Sequence, residues 1–188
     1  MLKSRTRKSS LTAVVVAGFL LLALGSCSDE EQVPISLIGV QAPELAGNDL
    51  TGTGVDELAD LTGEPTAVVF WLNTCPHCQD SVPQIQDEWE DLEDGHNILT
   101  VGMTNEDVEG DPGFETAEAF VASTGLTLPT VANTWQQAQA DWLVSGVPIT
   151  FILSDQHVIE DVIEGDDDLV NRIQTSLNNV DLKCCGSD

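Results

Sequence analysis

The chain has 188 residues, enough for one compact domain with its own core. It carries 32 acidic against 6 basic residues, a formal net charge of −26, and four of the basic residues are Lys3, Arg5, Arg7 and Lys8. Beyond them only Arg172 and Lys183 oppose the acids, a balance of 2 − 32 = −30, which excludes nucleic acid as a partner because its phosphates bind through cations.

The four leading cations open a predicted signal peptide over residues 1–26. The apolar run from Leu11 to Leu24 has no charged residue and falls short of the ~20 residues of a membrane span. An uncleaved signal anchor is the alternative, and the length of the run argues against it. Leu24-Gly25-Ser26-Cys27 resembles a bacterial lipobox, so Cys27 is expected to be lipidated and to begin the mature protein. Thr6 separates Arg5 from Arg7, which points to the general secretory route rather than a twin-arginine signal. The expected location is the cell membrane, lipid-anchored on the extracytoplasmic face, where disulfides persist. Residues 27–40 then form a polar tether.

The main domain is expected over residues 41–180. Ala42-Pro43-Glu44-Leu45 starts an extended segment, and Gly47 to Gly54 reads as a turn. Thr66 to Leu72 is almost wholly apolar, the pattern of a strand covered on both faces. Pro76 to about Leu92 is a predicted helix, with Val82, Ile85, Trp89 and Leu92 at spacings of three and four and Pro83 expected to kink it. Asn97 to Met103 is a second strand. A loop at 107–113 leads to a helix over Phe114 to Ser123, and Leu128 to Ala132 is a short strand. Thr134 caps a helix running through Trp142. Ile149 to Leu153 and Val158 to Glu164 form a hairpin around Ser154-Asp155-Gln156-His157. Asp166 to Leu177 is the last helix, with three aspartates near its positive end. Residues 181–188 are a tail containing Cys184 and Cys185. His96 and His157 fall in turns and read as solvated, while Trp71, Trp89, Trp135 and Trp142 read as core or groove-lining.

Cys75-Pro76-His77-Cys78 stands where the first long strand meets the first helix. Two cysteines separated by two residues can close a small disulfide ring, and the first sulfur then faces a helix N-terminus whose unpaired N–H groups and dipole favour a thiolate. That is a candidate redox site. Half of a zinc site is one alternative, but no suitably spaced second ligand pair follows, so no metal is assigned. A static structural bridge is the other, although so short a loop removes little chain entropy.

The order β-α-β-α-(β-α)-β-β-α, with the cysteine pair after the first strand and a proline before the hairpin, resembles the thioredoxin fold. This implies a three-layer α/β/α sandwich with a mixed central sheet. Gly146-Val147-Pro148-Ile149-Thr150 carries the second half of the likeness, since thioredoxin-like proteins have a cis proline facing the disulfide there. An ordinary proline at a strand start is the alternative for Pro148. From Ala42 to about Leu177 the chain is similar to the membrane-tethered thiol-disulfide oxidoreductases of the TlpA type. The matching pieces are Ala42-Pro43, Val69-Phe70-Trp71, the cysteine motif, Pro83, an inserted segment before the third strand, and Val147-Pro148. The departures are Thr74, where relatives commonly have Trp, Ser81, where many have Glu, and Val69, where thioredoxin has a buried Asp. The usual proton acceptor for the second cysteine is thus absent from both positions, with Asp80 or a water as substitutes.

The resemblance implies that Cys75 is the exposed nucleophile and Cys78 the buried resolving thiol, the two forming the redox disulfide. It places Thr74, Val147 and Pro148 against the substrate, which lies alongside as an added strand. Pro76-His77 is the dipeptide of DsbA-type oxidases, so a His77 donor near the Cys75 sulfur is expected to favour the thiolate and make the disulfide more oxidising. The catalytic set is therefore Cys75, Cys78, His77 and Pro148, with no cofactor. Implied partners are protein thiols or disulfides and a membrane redox partner. A copper metallochaperone using the same pair is the rival reading, although copper-delivering relatives usually space their cysteines by three. A peroxiredoxin is disfavoured because no Pro-x-x-x-Thr-x-x-Cys pattern surrounds Cys75. Adjacent Cys184 and Cys185 are compatible with a vicinal disulfide, an electron relay, a soft-metal site or a passive tail. The scarcity of lysine suggests salty surroundings, since self-repulsion of this size needs screening.

Overall fold

The structure, a computed structural model, describes residues 34–88, 95–104 and 114–185. Its centre is β2 (Thr66–Leu72), whose first six residues are all buried. Alternation along the strand sends Ala67, Val69 and Trp71 into one core and Val68 and Phe70 into another. β3 (Asn97–Thr104) pairs with β2 in parallel, and β5 (Ile149–Leu153) pairs with its other edge antiparallel. β1 (Asn48–Asp49), β4 (Thr130–Thr134) and β6 (Ile159–Glu164) complete a mixed sheet of order β1-β4-β3-β2-β5-β6.

Helices cover both faces. Cys78, Val82 and Ile85 of α1 (Pro76–Asp87), Ala117 and Val121 of α2 (Phe114–Thr124), and Ile173 and Leu177 of α4 (Leu169–Cys185) share the core of Val69 and Trp71. Ala138 and Trp142 of α3 (Trp135–Trp142) occupy the opposite core, where the Trp142 ring lies 5.3 Å from Phe70 and 5.0 Å from Phe151. Thr134 caps α3 by accepting the Gln137 N–H at 3.1 Å. The result is the three-layer α/β/α sandwich implied by the element order.

Several boundaries differ from the sequence reading. β1 arises inside the stretch read as a turn, because Gly47 runs so close to the Ala132 carbonyl of β4 that no side chain has room there. Its Asp49 carboxylate then gathers the backbone N–H groups of Thr51, Gly52 and Gly54 at 2.9, 2.9 and 2.7 Å. Desolvation favours the protonated acid, but these donors outweigh it and hold Asp49 below the usual carboxylate value. β4 begins at Thr130 rather than Leu128. The last helix begins at Leu169 rather than Asp166, since Asp168 has a left-handed backbone (φ 54°) that cannot continue a helix. It then runs to Cys185, taking up most of the expected tail. His96 is buried rather than solvated, and His157 is half-buried with Nε2 against the Leu61 carbonyl. Trp89, Leu92 and Cys27 lie outside the described residues.

Candidate active site

Beyond Leu72 the chain turns through Asn73 and Thr74 into α1. The turn is fixed by the Cys75 N–H donating to the Leu72 carbonyl at 3.1 Å and by the Gln79 side-chain amide donating to the Asn73 carbonyl at 2.6 Å. Pro76 occupies the first turn of the helix, where its missing N–H costs nothing and its φ is already helical. Cys75 is the N-cap, and its sulfur accepts the Cys78 N–H at 3.2 Å in place of the usual cap oxygen. One turn in, the buried Cys78 sulfur lies 2.6 Å from that of Cys75, which is only half-buried. The two sulfurs therefore occupy unlike surroundings.

Burial pushes the Cys78 thiol well above the ordinary value. Its hydrogen bond with Cys75 and the negative charges of Cys75 and Asp166 act in the same sense, against a backbone hydrogen bond at Leu72. Cys78 is thus a thiol at neutral pH, and Cys75 is the sulfur that faces outward. The second wall of the site is the Val147-Pro148 segment, whose peptide bond is cis. The Cys75 sulfur lies 3.6 Å from the Val147 carbonyl oxygen. Val147 is half-buried, Pro148 buried and Thr74 exposed at the lip. The fold thus gathers Cys75, Cys78, Val147 and Pro148 into one site.

His77 is placed differently from the expectation. Its side chain is 68% exposed, and its Nδ1 meets Asp166 Oδ2 at 2.9 Å, while the hydrogen bonds of the Cys75 sulfur run to Cys78 and Val147. Sequence reasoning treated Asp166 only as one of three acids at a helix start. The hairpin held the missing signal: Ile149 pairs with Glu164, so a residue just past β6 returns to the level of Pro148. Gly165 closes that approach by donating its N–H to the Pro148 carbonyl at 3.0 Å. Val69 and Ser81 are both buried and supply no carboxylate, and the Ser81 hydroxyl has no hydrogen-bond partner. Asp80 is exposed on α1. Among the described residues no three His, Cys, Asp or Glu side chains are grouped to hold a metal ion.

Comparison with known proteins agrees with this architecture. The model of the AhpC/TSA family matches residues 38–162. Sporulation thiol-disulfide oxidoreductase A of Bacillus subtilis is 21% identical over 156 residues, which cover 82% of this chain and 88% of the relative. Thiol-disulfide oxidoreductase ResA of the same organism is 25% identical over 128 residues, 68% of this chain and 67% of the relative. Among solved structures, the thioredoxin domain of a thiol-disulfide oxidoreductase from Bacteroides vulgatus superposes with a TM-score of 0.61 at 22% identity, covering 75% of this chain and 98% of that one. At that identity the superposition establishes the fold alone.

Proposed function

The chain belongs to the AhpC/TSA family, and from that premise we propose an extracytoplasmic thiol-disulfide oxidoreductase, lipid-anchored through Cys27, that exchanges a Cys75–Cys78 disulfide with protein substrates. The broad class, thiol-disulfide oxidoreductase, is that of its Bacillus relatives. The observation that carries the finer reading is the unlike pair of sulfurs: Cys75 at a helix N-cap beside the Val147 carbonyl, and Cys78 buried 2.6 Å behind it.

In the oxidising direction a substrate thiolate attacks the Cys75 sulfur and the Cys75–Cys78 bond breaks. The electron pair leaves on Cys78, which takes up a proton because burial favours its thiol. A second substrate thiolate then attacks the substrate sulfur of the mixed disulfide and releases the Cys75 thiolate. Two substrate thiols have become one disulfide, and the protein has gained the two electrons. In the reducing direction the Cys75 thiolate attacks a substrate disulfide, and Cys78 gives up its proton and attacks Cys75, freeing the reduced substrate. Val147 and Pro148 hold the substrate chain beside the sulfur, and a membrane redox partner resets the pair.

Single-cysteine variants test this. Cys75→Ser is expected to abolish exchange with a protein disulfide such as that of insulin, whereas Cys78→Ser should accumulate a mixed disulfide between Cys75 and substrate that reductant releases. A Cys75→Ser protein with unchanged exchange would refute the assignment. Copper(I) held by both thiols against a chelator, with no exchange, would favour the metallochaperone.

A further inference from the structure

His77 and Asp166 are 89 positions apart in the chain, yet Nδ1 and Oδ2 lie 2.9 Å apart. The loop that brings Asp166 there, between β6 and α4, is fastened on both sides. Gly165 donates to the Pro148 carbonyl at 3.0 Å, Arg172 donates from its guanidinium to the Glu164 carbonyl at 3.0 Å, and the Leu169 N–H reaches the Asp166 carbonyl at 3.2 Å. Asp166 is two-thirds buried, so its carboxylate is held in place rather than sampling solvent freely. A carboxylate can only accept, so the proton between them sits on Nδ1 and that donor is directed at Asp166. The Cys75 sulfur, meanwhile, is served by the Cys78 N–H.

We propose that Asp166 is a positioning residue of the redox site: by holding His77 it withholds the imidazole from Cys75 and keeps the disulfide less oxidising than the Pro76-His77 dipeptide would otherwise make it. This rests on the redox reading above. A thiolate at Cys75 exists only in the reduced form, so whatever stabilises it draws the couple toward reduction and makes the disulfide a stronger oxidant. Loss of Asp166 acts twice in that direction. It frees the His77 N–H for the sulfur, and it removes a negative charge that opposes the thiolate. Asparagine separates the two effects, since it keeps an acceptor oxygen for His77 and loses only the charge.

The test is equilibration of the full chain with reduced and oxidised glutathione, in a parent carrying Cys27→Ser, Cys184→Ser and Cys185→Ser so that one couple titrates. Asp166→Ala is expected to shift the equilibrium toward the reduced protein by about tenfold, equivalent to about 30 mV for two electrons. Asp166→Asn should shift it clearly less, and in a His77→Ala background Asp166→Ala should shift it no more than Asp166→Asn does, since only the charge is then lost. Asp166→Ser, too short to reach the imidazole, serves if the alanine variant does not fold. No shift from either short variant would overturn the proposal, as would a full shift in the His77→Ala background, which would assign the effect to charge alone. A parent that fails to exchange with glutathione at all would overturn the redox reading as well, whereas an exchanging parent with an unmoved potential overturns only the role of Asp166.

Discussion

At Cys75 a sulfur stands where a hydroxyl or carboxylate usually caps a helix, and one turn later Cys78 is fully buried in the core that also holds Val69, Trp71 and Val82. The enclosure has a thermodynamic signature. A thiol whose folded value is raised contributes stability that is whole below its ordinary value of 9.0 and is lost as pH climbs above it, because the unfolded chain then releases a proton that the folded chain keeps. The disulfide form has no such proton. The melting temperature of the reduced protein is therefore expected to fall relative to the oxidised one above pH 9.0, and a constant difference up to strongly alkaline pH would contradict the burial of Cys78. The cysteine pair was legible in the sequence because its meaning is local: two sulfurs, one turn, one strand end. The partner of His77 was not, because it depends on a hairpin returning the chain from 89 positions away. The burial of His96 was hidden for the same reason, since a polar residue before a strand reads as solvated until its neighbours are known.

Elements succeeded or failed as predictions according to how much of their reason lay within them. β2 was readable end to end because a run that is apolar from Ala67 to Leu72 has the pattern of a strand covered on both faces. β1 has two residues and exists only because Gly47 can lie against β4, a contact with no local signature. The start of α4 moved because the run of aspartates that complements a helix dipole includes Asp168, whose left-handed backbone excludes it from the helix. Packing between β2 and β3 gives an element-scale prediction. Trp71 lies over Gly102, where an added Cβ would come 2.8 Å from the ring, and the same indole stands 5.0 Å from Phe120 of α2. Gly102→Ala is expected to cost about 1–3 kcal/mol by overpacking, read as a lower thermal midpoint, because the ring has α2 behind it and little space to yield. An unchanged midpoint would show that Trp71 does not clamp the sheet to that helix.

The whole molecule is dominated by charge of one sign. Across residues 34–185 the basic side chains are Arg172 and Lys183, and the described contact of the Arg172 guanidinium is with a backbone carbonyl rather than a carboxylate. Repulsion among so many exposed acids is relieved chiefly by ions in solution. The melting temperature is expected to rise by roughly 4 °C or more, about 1 kcal/mol or more for a domain of this size, from dilute buffer to molar salt. A flat response would separate the acidity from any dependence on salt.

The length of α4 sets a limit on what its last residues can do. Its 17 residues advance about 24 Å from Leu169, beside the redox loop, to Cys185. A disulfide needs Cα atoms within about 7 Å, so the adjacent cysteines at the far end are out of reach of Cys75 in the same molecule. Any exchange between the two pairs would therefore be a second-order event between neighbouring copies, its rate set by how closely they are crowded together.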